Sequence, residues 1–378
     1  MYKRQVDEAV SAINRIARTT SFGSDNLLNG TAAIETASAV GTAIQEVHVF
    51  RAAFYGASSL TLNVRITQAA SRAALFVGSG FTSAQAGTVV RISGPEGTEE
   101  VSLGSSFTVT AFESAINAVT DDTGVFASGG ALFSIDYGSD QTISLTVLSG
   151  SVTFGSQTLT SSSSIQQDSG ADIAGYIQAR PFSGNGLRAT FATTDLAGEI
   201  LFREGTAKGE TALKIRPTGL SFTGWLDGKR DIVGFPAFDS PYLGKPTQTI
   251  PTNGGSTQTI FGYLNSLVSG GDNDLSTNPE NALRIVDAAT DFVSRVRGWL
   301  GAYENFFLEG QLALSQSLWA ELSEARSDIE DLDYAQEVST WTRLQLLEQS
   351  GAAALSKLSL SRERIFSLLL GGFLPQAE

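Results

Sequence analysis

Tyr334-Ala335-Gln336-Glu337-Val338-Ser339-Thr340-Trp341-Thr342-Arg343-Leu344-Gln345-Leu346-Leu347 opens the stretch on which the reading of this chain turns. Tyr334, Val338, Trp341, Leu344, Leu347, Leu355 and Leu358 recur at helical spacing, and Ile365, Leu368 and Leu369 follow them with no proline before Pro375. The spacing predicts a long helix carrying an apolar seam. Further back, Val286, Ala289, Val293, Val296 and Leu300 form an earlier stripe. It begins after Asn278-Pro279-Glu280, where Ser276 or Thr277 can cap a helix and Pro279 suits its first turn. An amphipathic helix alone leaves its apolar face in water and needs a partner. The other terminal helix pattern, Val6, Val10, Ile13 and Ile16-Ala17, ends near Thr19 and is far too short to cover the seam. The side chains Val338, Trp341, Leu344, Leu347, Leu355, Leu358, Ile365, Leu368 and Leu369 are therefore expected to form an interface between molecules.

Between the two helical ends the hydrophobic period drops to two. Leu60, Leu62, Val64 and Ile66 alternate with Thr61, Asn63 and Arg65, as a half-buried strand should. Val90 and Ile92 lead through Gly94-Pro95-Glu96-Gly97 to Val101 and Leu103, a hairpin signal. Phe112, Ile116 and Val119 give one helical stripe, and Val125, Phe133, Ile135, Ile143, Leu145 and Val147 return to strand spacing. This predicts a small ββαβ(β) unit. Strands and turns dominate from 149 to 260, with a polar Ser161 to Ser164 run and a Gly244-Lys245-Pro246-Thr247 to Gly254-Gly255 stretch that reads as a connector.

Composition narrows the function. At 378 residues the chain is two to three times an ordinary domain and can bury several cores. Its 25 basic against 39 acidic residues give a net charge of -14, which repels phosphate backbones and anionic lipid and argues against nucleic-acid or membrane-surface binding. Zero cysteines exclude disulfides, thiolate metal sites and cysteine nucleophiles. The single histidine, His48, lies in the strand-like Glu46-Val47-His48-Val49 with no nucleophile-elbow sequence anywhere, so a structural role is expected of it. The acidic residues Asp328, Glu330, Asp331 and Asp333 lack the glycine and the twelve-residue frame of a calcium loop and read as a solvated helix junction. Trp299, Tyr303, Phe306, Phe307 and Trp319 are expected to pack against helices. No apolar run reaches membrane-spanning length, and the basic start Lys3-Arg4 is followed by Val6-Asp7-Glu8, not the core of a cleavable signal. No catalytic, cofactor-binding or metal-binding residue is assigned, and the chain is not expected to be an enzyme.

The residues at the two ends resemble bacterial flagellin. Ser323-Glu324-Ala325-Arg326-Ser327-Asp328-Ile329-Glu330-Asp331-Leu332-Asp333-Tyr334-Ala335-Gln336-Glu337-Val338-Ser339 is similar to the family's C-terminal signature. So are Arg343-Leu344-Gln345-Leu346-Leu347-Glu348-Gln349-Ser350-Gly351 and the closing Ile365-Phe366-Ser367-Leu368-Leu369. Ile13-Asn14-Arg15-Ile16-Ala17-Arg18-Thr19-Thr20-Ser21-Phe22, with Leu27-Leu28-Asn29-Gly30, resembles the stretch that closes a flagellin core helix and enters its β region. Ala111-Phe112-Glu113-Ser114-Ala115-Ile116-Asn117, Thr123-Gly124-Val125 and Tyr137-Gly138-Ser139 resemble the flagellin hook IN motif. Flagellins open with roughly a hundred residues of helix that pair with the C-terminal helix, and this sequence starts where that region ends, so an N-terminally truncated pattern is expected.

The resemblance implies a multidomain α+β fold with helical coiled-coil core segments at the two ends and β-rich and small α+β domains inserted. It divides the chain into 1–30, the end of the N-terminal core helix; 31–85, a β-rich core segment; and 86–150, the IN-like insert. Beyond these come 151–275, a variable β-rich region; 276–333, a C-terminal core helix; and 334–378, a polymerisation helix. It implies a structural subunit of the extracellular flagellar filament, exported by the flagellar type III system without a cleaved signal peptide. The implied partners are other flagellin subunits, hook-junction and cap proteins and an export chaperone. The alternative it leaves open is a hook-associated junction or cap protein.

Overall fold

The computed structural model describes residues 2–40, 43–104, 108–193, 195–223, 230–251 and 257–371. The chain forms two compact units, residues 1–294 and 295–378.

The first unit is built on a β-sandwich. Leu60–Gln68 shows why: Leu62, Val64 and Ile66 point inward and Thr61, Asn63 and Arg65 outward, so one face of the strand must be covered. It lies mid-sheet in a five-stranded antiparallel sheet of order 180–181, 174–177, 60–68, 209–215, 36–40. The opposing six-stranded sheet runs 183–185, 188–192, 196–202, 44–54, 230–233, 220–223. Phe54, Leu62, Val64, Ile173, Phe191, Ile200, Phe202, Leu213 and Ile232 fill the space between them. Leu196–Phe202 is buried on both faces.

The chain leaves this sandwich and returns to it where Ser71 and Ala171 pair as a single bridge. The residues in between make a second core around helix α2, Val109–Asn117, whose Phe112 and Ile116 have no exposed surface. Thr108 caps α2 by accepting a hydrogen bond from the Ala111 amide, and a single further turn, α3, Thr120–Thr123, follows it. The expected hairpin is present, with Val90 opposite Val101 and Ser93 opposite Thr98. Of the residues whose spacing marked this unit, Val90, Ile92, Leu103, Phe112, Ile116, Val125 and Leu145 belong to this core. It also draws in Ala73, Leu75, Phe81, Val152, Phe154 and Leu159, so the packed unit overruns both ends of the 86–150 segment. Phe81, Phe112 and Phe154 form one aromatic nucleus, with Phe81 stacked on Phe112 at 4.5 Å. Burying each such ring stabilises the insert by about 1.5–3 kcal/mol, so a segment lacking Phe81 and Phe154 would lose its nucleus.

Two further sequence readings are corrected. The proposed connector from Gly244 is a strand, Gly244–Pro251, paired antiparallel with Thr257–Tyr263; residues 252–256 lie outside the described residues. The apolar Ile250 decides this: it is buried with Ile260 and Phe261 against Phe126 and Ile135 of the insert. The cap of helix α4, Pro279–Tyr303, is Asn278, whose Oδ1 accepts from the Asn281 amide. Ser276 and Thr277 instead donate their amides to Asp274. Within the first unit the buried face of α4 is Ala282, Ile285, Ala289 and Phe292, while Val286 is exposed. Of the stripe read from the sequence Ala289 is buried, while Ile285 and Phe292, each one residue before Val286 and Val293, supply the larger core-facing side chains.

Helix α1, Tyr2–Thr19, buries Val10 and Ala17 and ends where expected. Three polar contacts anchor it. Ser269 donates its amide and hydroxyl to Asp7, Lys3 donates to Asp274 at 2.9 Å, and the Ser240 amide donates to Asn14. Asp274 also accepts from Ser276 and Thr277. The Lys3 ammonium and these donors hold its carboxyl far below the usual range, and the Ser269 donors lower that of Asp7.

In the second unit, a single π turn at Glu304–Leu308 separates α4 from helix α5, Glu309–Gly371. Trp299, Tyr303 and Phe307 stack along one helix face at centroid distances of 5.4 and 4.9 Å. Phe306 and Trp319, expected to pack against helices, are exposed.

Candidate assembly surface

Helix α5 is 63 residues long, roughly 95 Å at 1.5 Å per residue. Its sequence changes character midway. From Glu321 to Glu337 it carries Glu324, Arg326, Asp328, Glu330 and their neighbours, with Arg326 paired to Glu330 at 2.9 Å. From Val338 to Ser361 the charged residues thin out to Arg343, Glu348 and Lys357. The stretch from Val338 to Ser361 therefore has the composition of a buried helix.

It is not buried within the chain. All nine seam side chains are solvent-exposed, from 42% for Val338 to 79% for Leu368, with Trp341 at 63% and Leu355 at 70%. The apolar surface is also wider than the seam. Leu346, Leu360 and Phe366 are exposed as well, and Leu346 projects about 160° around the helix from Leu344 at 100° per residue. A helix apolar on several sides requires more than one covering neighbour. Sequence reasoning followed a single stripe and missed these residues; the signal available was Leu344 and Leu346, which lie on nearly opposite sides of a helix.

The polar residues between them are compatible with burial. Thr340 donates its hydroxyl to the Gln336 carbonyl, Thr342 to Val338, Ser350 to Leu347, Ser359 to Ser356 and Ser361 to Lys357. Each hydroxyl proton is already satisfied by its own helix, so covering it with an apolar neighbour strands no donor.

The remaining candidate residues show no catalytic arrangement. His48 sits on the strand Ile44–Phe54 with its ring 5.1 Å from Phe292 and its Nε2 3.9 Å from Glu46. Tyr263 donates its hydroxyl to Glu46 at 2.5 Å. Burial alone would raise the Glu46 carboxyl, but the nearby His48 ring and the Tyr263 hydroxyl hold it below its ordinary value. Burial and the Glu46 carboxylate push the Tyr263 phenol well above its ordinary value. No group of three or more potential metal ligands occurs among the described residues, and the side chains of Asp331 and Asp333 lie outside them. No helix among the described residues is long and apolar enough to cross a membrane.

Fold and surface together define a multidomain α+β protein whose β-rich body precedes a long C-terminal helix with exposed apolar sides. Residues 283–369 match the bacterial flagellin C-terminal helical region. The flagellin of Salmonella choleraesuis is 40% identical over 94 residues, 25% of this chain and 19% of that protein. The B-type flagellin of Pseudomonas aeruginosa is 24% identical over 251 residues, 64% of this chain and 49% of that protein. These matches make the C-terminal helical region of the chain similar to that of bacterial flagellins. The match spans about a fifth of the length of the Salmonella flagellins. Among solved structures, the D1-D2-D3 domains of the flagellar cap protein FliD from Escherichia coli align at a TM-score of 0.32 and 15% identity, covering 57% of this chain and 64% of that one.

Proposed function

We propose that this chain is a structural subunit of the bacterial flagellar filament, assembling through α5 and having no catalytic role. One observation carries the reading: the helix that matches the flagellin C-terminal region exposes all nine seam residues, Val338 through Leu369. A filament covers such a surface by stacking the same helix from successive subunits, in contacts that join two different faces and so leave the assembly open-ended. The coiled-coil pairing expected at the chain ends belongs to that assembled state. Other flagellin subunits are the principal partners, with hook-junction and cap proteins at the filament ends and an export chaperone shielding α5 before assembly. The location is extracellular, reached by the flagellar type III route without a cleaved signal. A chain free of cysteine suits export in an unfolded state. The insert around α2 is read as an IN-like domain on the likeness of residues 111–139.

Immunogold labelling of flagella on the source bacterium, with antibody raised against this chain, tests the reading. Gold along the whole filament supports it. Gold confined to the hook junction or the tip assigns the chain to the alternative class, and unlabelled flagella on cells that express the chain overturn it.

A further inference from the structure

Phe261 stands in a backbone conformation that bulky residues avoid. Its φ is +63°, in the left-handed region, and it is followed by Gly262 at +144°. It sits where the two-stranded ribbon slips register: Lys245 pairs with Gly262 and Gln248 with Ile260, so Pro246 and Thr247 face Phe261 alone. Such a bulge re-aims a side chain. Here the ring turns onto the insert, joining Phe126 and Ile135 in a small buried cluster, with Lys245 3.9 Å above it. Lys245 in turn pairs with Asp136 of the insert.

The strained residue is gripped from the other side by α4. Asn281, fully buried in the first turn, accepts the Phe261 amide at Oδ1 (2.6 Å) and donates from Nδ2 to the Phe261 carbonyl (3.1 Å). It takes the place of the strand neighbour that the bulge removes. The same Nδ2 donates to Asn273 at 2.7 Å, which fixes the amide's orientation. Gly262 permits the close approach, since a Cβ there would lie 3.3 Å from both Asn273 and Ile285. Three residues further along α4, Arg284 reaches the insert directly, at 2.9 Å to Asp121 and 3.2 Å to Glu96.

We propose that the Asn281–Phe261 clamp is a conformational joint through which the first turn of α4 fixes the seat of the inserted domain. Strained backbone persists only where its surroundings over-determine it, and it marks places where position matters. Without Asn281 the Phe261 amide and carbonyl would be buried unpaired, and a rotation to negative φ would restore their partners. That rotation swings the ring out of the Phe126 and Ile135 cluster. The insert would then be held by its two chain crossings at Ser71 and Ala171 and by the Arg284 ion pairs, without the buried apolar seat. The joint thus makes the start of the C-terminal helix and the insert move as one body, whether or not the chain is assembled.

The absence of cysteine allows clean double spin labelling of the full chain at Ser162→Cys in the insert and Asp287→Cys on the exposed side of α4. Pulsed electron-electron resonance should give one narrow distance distribution in the parent and a distribution at least twice as broad in Asn281→Ala. Asn281→Asp keeps the acceptor for the Phe261 amide, loses the donor, and should broaden it to an intermediate degree. It serves as the readout if Asn281→Ala does not fold. Phe261→Gly relieves the backbone but deletes the ring, and should broaden the distribution as far as Asn281→Ala. Distributions that stay as narrow as the parent's in folded Asn281→Asp and Phe261→Gly proteins would overturn the joint.

Discussion

Replacing Leu355 by Asp separates assembly from folding. Leu355 is 70% exposed in the chain, so the substitution touches no core, and its cost to the free protein should be the loss of helix propensity, about 0.5 kcal/mol. In the proposed filament the same position is covered by a neighbour. Full burial of a leucine side chain contributes about 1.5–3 kcal/mol, and seven-tenths of that, about 1–2 kcal/mol, remains to be gained on assembly. Aspartate forfeits this gain and must also enter an apolar interface without a partner, which costs about another 3 kcal/mol or more. The sum of roughly 4–5 kcal/mol per subunit, at 1.4 kcal/mol per tenfold, raises the critical concentration by about three orders of magnitude. Sedimentation of the purified chain with sheared filaments of the source bacterium as seeds measures that concentration, and a thermal melt measures the monomer. Incorporation of the variant at the parental concentration, or a melting temperature lowered by more than a few degrees, would refute the reasoning.

Other substitutions probe the body. Ile116→Asp puts a charge into a site with no exposed surface and should cost about 4 kcal/mol or more, seen as loss of amide protection in residues 88–159 while the sandwich strands stay protected; unaltered protection would remove Ile116 from the core. Asp274 has its carboxyl lowered in the folded state, so it contributes stability above the ordinary aspartate pKa near 3.8 that is lost progressively as pH falls below it. Asp274→Asn should therefore flatten the fall of melting temperature between pH 5 and 2 (about the range over which the unfolded carboxylate titrates), and an unchanged slope would contradict the Lys3 anchor.

The strands most legible in the sequence were those whose faces differ. Leu60–Gln68 and the hairpin 88–103 alternate apolar and polar residues, because each has one side in a core and one in water, and both are found where the alternation put them. What could not be read is pairing at long range. Nothing local in Leu196–Phe202 says that it lies beside Ile44–Phe54, nor that Ser71 and Ala171 close the neck of the insert. Nor does anything local say that Phe81 and Phe154 join the core around α2 from outside the hairpin-helix-strand pattern. Pro246 and Gly244 made the ribbon look like a connector, although the proline sits at the bulge, where a ladder donor is not required. The seam of α5 was legible as apolar periodicity, since it is periodic in the sequence itself. The width of the exposed surface was less so, because Leu346, Leu360 and Phe366 fall off the stripe, and the spacing of Leu344 and Leu346 is its sign in the sequence.

The central claim, that the apolar sides of α5 are completed by other molecules, is tested most directly by amide hydrogen exchange across residues 335–370 in the free chain and in the assembled filament. A helix with Trp341, Leu344, Leu355 and Ile365 in water has little tertiary packing to resist opening, so its amides should exchange rapidly in the free chain. In the filament the same amides should be protected by at least about a hundredfold, the change that 2.7 kcal/mol of burial produces. Strong protection already present in the free chain would contradict the account, because it would mean that the seam is covered without any neighbour.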